Sequence, residues 1–106
     1  MDAKYKKIRS SQISQQATAW ANANPGVKGE WQARRSGFVN GAKWYDDIYP
    51  HKLTDEKVVA AKEEYLKDKA SKTKEARGIG FEAGVEWAST TPPRMKQLDL
   101  FENYDE

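Results

Sequence analysis

The chain contains no cysteine, one histidine and no long apolar run. Without cysteine there is no disulfide, no thiolate nucleophile and no cysteine-based metal site, and a secreted disulfide scaffold is excluded. The lone histidine, His51, sits in a Tyr49-Pro50-His51 turn and reads as a surface residue, so a Ser-His-Asp or Cys-His system has nothing to rest on. No run approaches the ~20 apolar residues of a membrane span, and the charged start, Met1 to Ser11, is not followed by a signal-peptide core. A cytoplasmic location is the expectation. Large aliphatics are scarce too: Leu, Ile, Val and Phe together number 16 of 106 residues, low enough to raise the question of disorder. Four Trp and five Tyr answer it, because each aromatic buries roughly 150–250 Å² and a few can build a modest core. The length fits one small domain.

Charge is nearly balanced, at a formal +2, but uneven. Residues 1–53 carry nine Lys/Arg against four Asp/Glu, and residues 54–106 nine against twelve. Lys4, Lys6, Lys7 and Arg9 surround Tyr5 at the start, while Glu102, Asp105 and Glu106 close the chain, a pattern that predicts two solvated tails. The basic arm, with Arg34 and Arg35, is a candidate for contact with nucleic-acid phosphates, although no recognised binding motif accompanies it.

Self-comparison is more informative. At an offset of 43, Ala33-Arg34-x-x-Gly37-Phe38-x-x-Gly41-x-x-Trp44 matches Ala76-Arg77-x-x-Gly80-Phe81-x-x-Gly84-x-x-Trp87. Extending the register places Pro93 on Pro50, Ala60 on Ala17 and Thr54 on Ser11, and the last pair reads as two helix N-caps. Four helices follow. The first runs from Ser11, with Ile13, Ala17, Trp20 and Ala21 at helical spacing, to a stop at Asn24-Pro25-Gly26. The second covers about Glu30 to Asp47 and ends before Pro50. Thr54 caps the third, whose Asp55 and Glu56 complement the helix dipole and whose Val58, Ala61 and Tyr65 face inward. The fourth covers about Lys72 to Ala88, and continuity with the third is open, since Ala70 to Glu75 holds no Gly or Pro.

Glycines inside a helix cost roughly 1 kcal/mol each relative to Ala, so Gly37, Gly41, Gly80 and Gly84 need a reason. A ligand slot lined by Trp44 and Trp87 would be one. Close packing of the two glycine helices, on each other or on their hairpin partners, is the reading adopted, with both Trp largely buried in equivalent positions. The predicted fold is all-α: a small four-helix domain made of two tandem αα-hairpins related by the 43-residue repeat and an approximate two-fold, with flexible termini. Its parts are a basic arm (1–10), a helical domain (11–91, halves 11–50 and 54–91) and an acidic extended tail (92–106). The Gly-Phe-x-x-Gly-x-x-Trp helices resemble those of short uncharacterised bacteriophage and prophage proteins, which implies a mobile-element origin but no reaction.

Catalytic arrangements are missing. Asp46/Asp47 and Glu63/Glu64 are sequence neighbours, about 100° apart on a helix, and form no two-carboxylate acid/base site. Metal-ligand spacings and phosphate loops are also missing, so the expectation is no enzyme, no cofactor and no metal. Beyond Pro92-Pro93, which stops the fourth helix and forces extended backbone, the tail reads Arg94-Met95-Lys96-Gln97-Leu98-Asp99-Leu100-Phe101-Glu102-Asn103-Tyr104-Asp105-Glu106. Gln97-Leu98-Asp99-Leu100-Phe101 resembles the pentapeptide by which polymerases and mismatch-repair proteins dock on the bacterial sliding clamp, the beta subunit of DNA polymerase III. The resemblance implies that Leu100 and Phe101 fill an apolar cleft on the clamp, Gln97 bonds at its rim and Leu98 takes a smaller subsite. Apart from any family, three large apolar groups on a tail forfeit roughly 1.5–3 kcal/mol each if left in water. A short terminal helix that caps the protein's own core, through Met95 and Leu98, is the competing reading. The functional expectation is a non-enzymatic accessory protein of DNA replication or repair, with room for a second host or phage partner on its helical face. The alternative is a phage-encoded antagonist of a host defence effector that acts through that face.

Overall fold

The computed structural model describes the backbone over residues 3–49 and 52–91, and side chains from residue 7 onward within those ranges. Four helices follow one another: α1 (Ala3–Ala23), α2 (Trp31–Ile48), α3 (Asp55–Leu66) and α4 (Ser71–Thr90). No strand occurs among the described residues, and the architecture is the expected all-α one.

The main seam is between α2 and α4, and glycine makes it possible. A Cβ added to Gly37 would overlap the Arg77 carbonyl and lie 2.9 Å from the Phe81 nitrogen; one on Gly80 would overlap the Arg34 carbonyl and lie 2.9 Å from the Phe38 nitrogen. One turn on, Gly41 meets the backbone of Phe81 as Gly84 meets that of Phe38. The two backbones thus touch directly, which any side chain at these four positions would prevent. These contacts across the seam follow the same offset of 43 that relates the two sequence segments, and along each helix the Arg34 Nε donates to Glu30 at 3.3 Å as the Arg77 Nε donates to Thr73 at 3.3 Å.

Phe38 and Phe81 flank the seam, each 2% exposed. Trp87 packs on Phe38 with ring centroids 5.9 Å apart, and Trp44 on Phe81 at 6.0 Å. Both tryptophans are half-buried. The outer helices complete the core: α1 buries Ile13, Ala17 and Ala21 and sets Trp20 on Phe38 at 5.6 Å, while α3 sets Tyr65 on Phe81 at 5.5 Å. α3 buries no residue fully.

Two local expectations are corrected and one open point is settled. Ser11 is not an N-cap: α1 starts at Ala3, eight residues earlier, because nothing between Ala3 and Ser11 breaks a helix and Arg9 is anchored to Asp46. The segment expected as a loose basic arm is therefore helical from Ala3 on. α3 and α4 are separate. The Lys69 N–H donates to the Leu66 carbonyl at 3.0 Å, Ala70 is extended, and Thr73 donates to the Ala70 carbonyl from both its N–H and its hydroxyl. That turn lets α3 fold back so that Tyr65 reaches Phe81, a packing gain that overrides good local helix propensity. Finally, the offset of 43 does not extend to the outer helices. Ala17 is buried whereas Ala60 is exposed, and Ser11 lies inside α1 whereas Thr54 caps α3 by accepting from the Lys57 N–H at 3.2 Å.

Elsewhere the sequence and the helices agree. Asn24-Pro25-Gly26 stops α1, and Gly26 takes a positive φ of 68° that a residue with a side chain rarely adopts. The Asn24 side chain donates to the Trp20 carbonyl at 3.0 Å, a second bond beside the Asn24 N–H that the same carbonyl accepts at 2.8 Å.

Candidate functional site

Gln97, Leu98, Asp99, Leu100 and Phe101 lie outside the described residues, as do Pro92, Pro93 and His51. The structure does describe the point from which that segment departs. α4 ends at Thr90, the Thr91 N–H closes the last turn on the Trp87 carbonyl at 2.9 Å, and the Thr90 hydroxyl donates to the same carbonyl at 2.9 Å.

Around that end lies an ion cluster. The Arg9 guanidinium donates through Nε to Asp46 Oδ2 at 2.7 Å and through Nη2 to Asp46 Oδ1 at 2.9 Å, a bidentate pair 11% and 16% exposed. Its plane also lies over Trp87, 4.6 Å from the ring centroid. One residue thus joins α1 to the C-terminal ends of α2 and α4. Beside it Tyr45 is 8% exposed, and its hydroxyl titrates above the ordinary 10.0, chiefly because burial disfavours the phenolate and also because Tyr49 and Asp46 add negative charge.

The candidate nucleic-acid residues separate. Lys4 and Lys6 lie in the first turns of α1 and Lys7 is exposed, but Arg9 is occupied inside the fold, where it cannot also serve a phosphate. Arg34 pairs with Glu30, and Arg35 donates to Thr18 at 2.9 Å and Ser14 at 2.6 Å across the α1–α2 contact. Arg9 and Arg35 are cross-links between elements, and Arg34 is paired with the N-cap residue of its own helix. Reading them as part of a basic run hid that role, since sequence shows the charge and not the carboxylate 37 residues away.

A second polar cluster escaped the sequence reading. Arg77 Nη1 donates to Ser36 Oγ at 3.0 Å and to the Tyr65 hydroxyl at 3.0 Å, tying α4 to α2 and α3. The signal was present in Arg77 occupying the repeat position of Arg34. As for chemistry, no group of three or more His, Cys, Asp or Glu that could hold a metal occurs among the described residues. Glu63 and Glu64 are exposed, and Trp44 and Trp87 pack on Phe81 and Phe38 respectively. No described helix is long and apolar enough to cross a membrane.

Comparison with family models, with curated proteins and with solved structures finds no match to this chain.

Proposed function

We propose that this chain is a non-enzymatic binding protein, of phage or mobile-element origin, that attaches to the bacterial sliding clamp through Gln97 to Phe101. The observation that carries the reading is the pentapeptide itself, in which all five residues are of the types the clamp motif prefers. One feature of the sequence supports it. Pro92-Pro93 follows the end of α4, and two prolines favour an extended continuation, the form in which a short peptide enters a cleft.

Recruitment and blockade use the same contact. A recruiter holds a further protein on the helical surface, whereas an inhibitor denies the cleft to the host polymerase; arrested DNA synthesis on expression in the host marks the inhibitor. The binding test is direct. A peptide spanning residues 94–106 is expected to bind purified clamp with roughly micromolar affinity, about −8 kcal/mol. Replacing Leu100 and Phe101 together by Ala should abolish binding, since apolar anchors carry most of the energy of such contacts. Absence of binding by both the peptide and the intact chain would overturn the reading.

A further inference from the structure

The α2–α4 seam has the form of a contact between two identical subunits. Gly37 faces Arg77 and Gly41 faces Phe81, while Gly80 faces Arg34 and Gly84 faces Phe38. The partner numbers rise together, so the two helices run parallel, and each contact has a reciprocal one related by the offset of 43. Distances repeat as well: a Cβ on Gly41 would stand 2.8 Å from the Phe81 carbonyl carbon, and one on Gly84 would stand 2.8 Å from that of Phe38. A surface that meets its own equivalent about a two-fold is isologous, the arrangement found in homodimers. Here one chain supplies both sides.

Each side is a hairpin held by its own contacts. Arg35 with Ser14 and Thr18, and Trp20 on Phe38, bind α1 to α2; Tyr65 on Phe81 and Lys62 with Glu82 bind α3 to α4. The hairpins meet at the glycines, at Trp87 on Phe38 and Trp44 on Phe81, and at two polar points beside them, Arg9 over Trp87 and Arg77 donating to Ser36. The same hairpin of a second molecule supplies all of these equally well. One pair breaks the symmetry. Tyr45, a turn beyond Gly41, corresponds to Ala88, a turn beyond Gly84, and both are buried in one cluster, 8% and 0% exposed. Pairing α2 with α2 would set Tyr45 against Tyr45 where glycines hold the backbones in contact, an overpacked arrangement. Pairing α2 with α4 sets a large side chain against a small one.

We infer that a second copy of this chain is a partner for the seam: α1–α2 of one molecule seats on α3–α4 of another, and the reverse, in a closed dimer that keeps every seam contact of the monomer. Residues 49–54 join the two hairpins, and a short hinge favours exchange of this kind. Such a link holds the halves at an effective concentration on the order of 1 mM, which a second chain must match to compete. The monomer therefore dominates in dilute solution, and the exchanged dimer forms where chains fold in a crowd of their own kind. The exchange does not rest on clamp attachment.

The test uses the intact, unsubstituted chain. Refolded from denaturant at about 10 µM it is expected to be monomeric by light scattering, and at about 1 mM to yield a discrete dimer fraction. After dilution that dimer should revert at the rate of unfolding measured by a denaturant jump, because the hairpins part only when the seam opens. Faster reversal would mark a surface contact between intact monomers and overturn exchange; so would monomer alone at the higher concentration. Refolding isotope-labelled and unlabelled chains together then tests the pairing. Isotope-filtered NOEs are expected between Gly41 of one chain and Phe81 of the other in the isolated dimer. Their absence, or NOEs that join Gly41 to Phe38 of the other chain instead, would overturn the α2–α4 exchange.

Discussion

Five glycines lie within α2 and α4, and their surroundings set opposite expectations for substitution. At Gly41 or Gly84 any Cβ collides with the backbone of the facing helix, so Leu should push the helices apart and cost about 2–3 kcal/mol, lowering the melting temperature by roughly 10–20 °C. An unchanged midpoint would mean the glycines serve something other than close approach. Gly78 differs: a Cβ there meets only Leu66 Cδ1 at 3.5 Å and Lys62 Cδ at 3.6 Å, ordinary contact distances. Gly78→Ala should therefore stabilise by about 0.5–1 kcal/mol through backbone entropy alone. Tyr45 gives a pH-dependent expectation. Its folded-state pKa is raised above 10.0 by burial and by neighbouring Tyr49 and Asp46, so the protonated phenol is favoured in the fold. Stability from this group is complete below pH 10.0 and declines as pH rises through the folded-state value, because the unfolded chain releases its proton first. Equilibrium denaturation across that range should show a shallower alkaline loss for Tyr45→Phe.

The helices differ in how firmly they are held. α2 and α4 share direct backbone contact, whereas α3 buries nothing completely and depends on Tyr65 against Phe81, Lys62 Nζ to Glu82 at 2.6 Å, and the Thr54 cap. Amide hydrogen exchange should show α3 opening at lower free energy than α2 and α4, and Thr54→Ala should cost about 1 kcal/mol. Protection of α3 equal to that of α4 would contradict this. The inner pair was legible in the sequence because Gly and Phe at fixed spacing encode a contact that no other residue type permits. What the pattern could not supply is the long-range partner of a charged side chain. Arg9 looks like part of a solvated run until Asp46 is placed beside it, and Ser11 looks like a cap until that pair carries α1 back to Ala3. The α3–α4 break was equally silent, since Asp68, Lys69 and Ala70 contain no breaker and yield only to the packing of Tyr65. The pentapeptide was found by pattern alone, and its partner is a matter for the binding measurement.

For the molecule as a whole, the clamp reading expects the Leu100→Ala/Phe101→Ala chain to keep its helical signal and melt within a few degrees of the original, since it assigns those residues to a partner's cleft. A drop of many degrees would assign the tail to the core and remove the main support for clamp attachment. The glycine seam has one more consequence, which concerns speed. Its closest contacts join residues about 40 apart in sequence, such as Gly37 with Arg77, with all of α3 between them. An up-and-down bundle earns most of its contacts from neighbouring hairpins and folds quickly; here the chain must close a long loop before its principal interface gives any return. Refolding should accordingly be slower than for a helical domain of equal length with nearest-neighbour packing. Substitutions at Gly41 and Gly84 should then retard folding if the seam forms in the transition state, or accelerate unfolding if it forms afterwards.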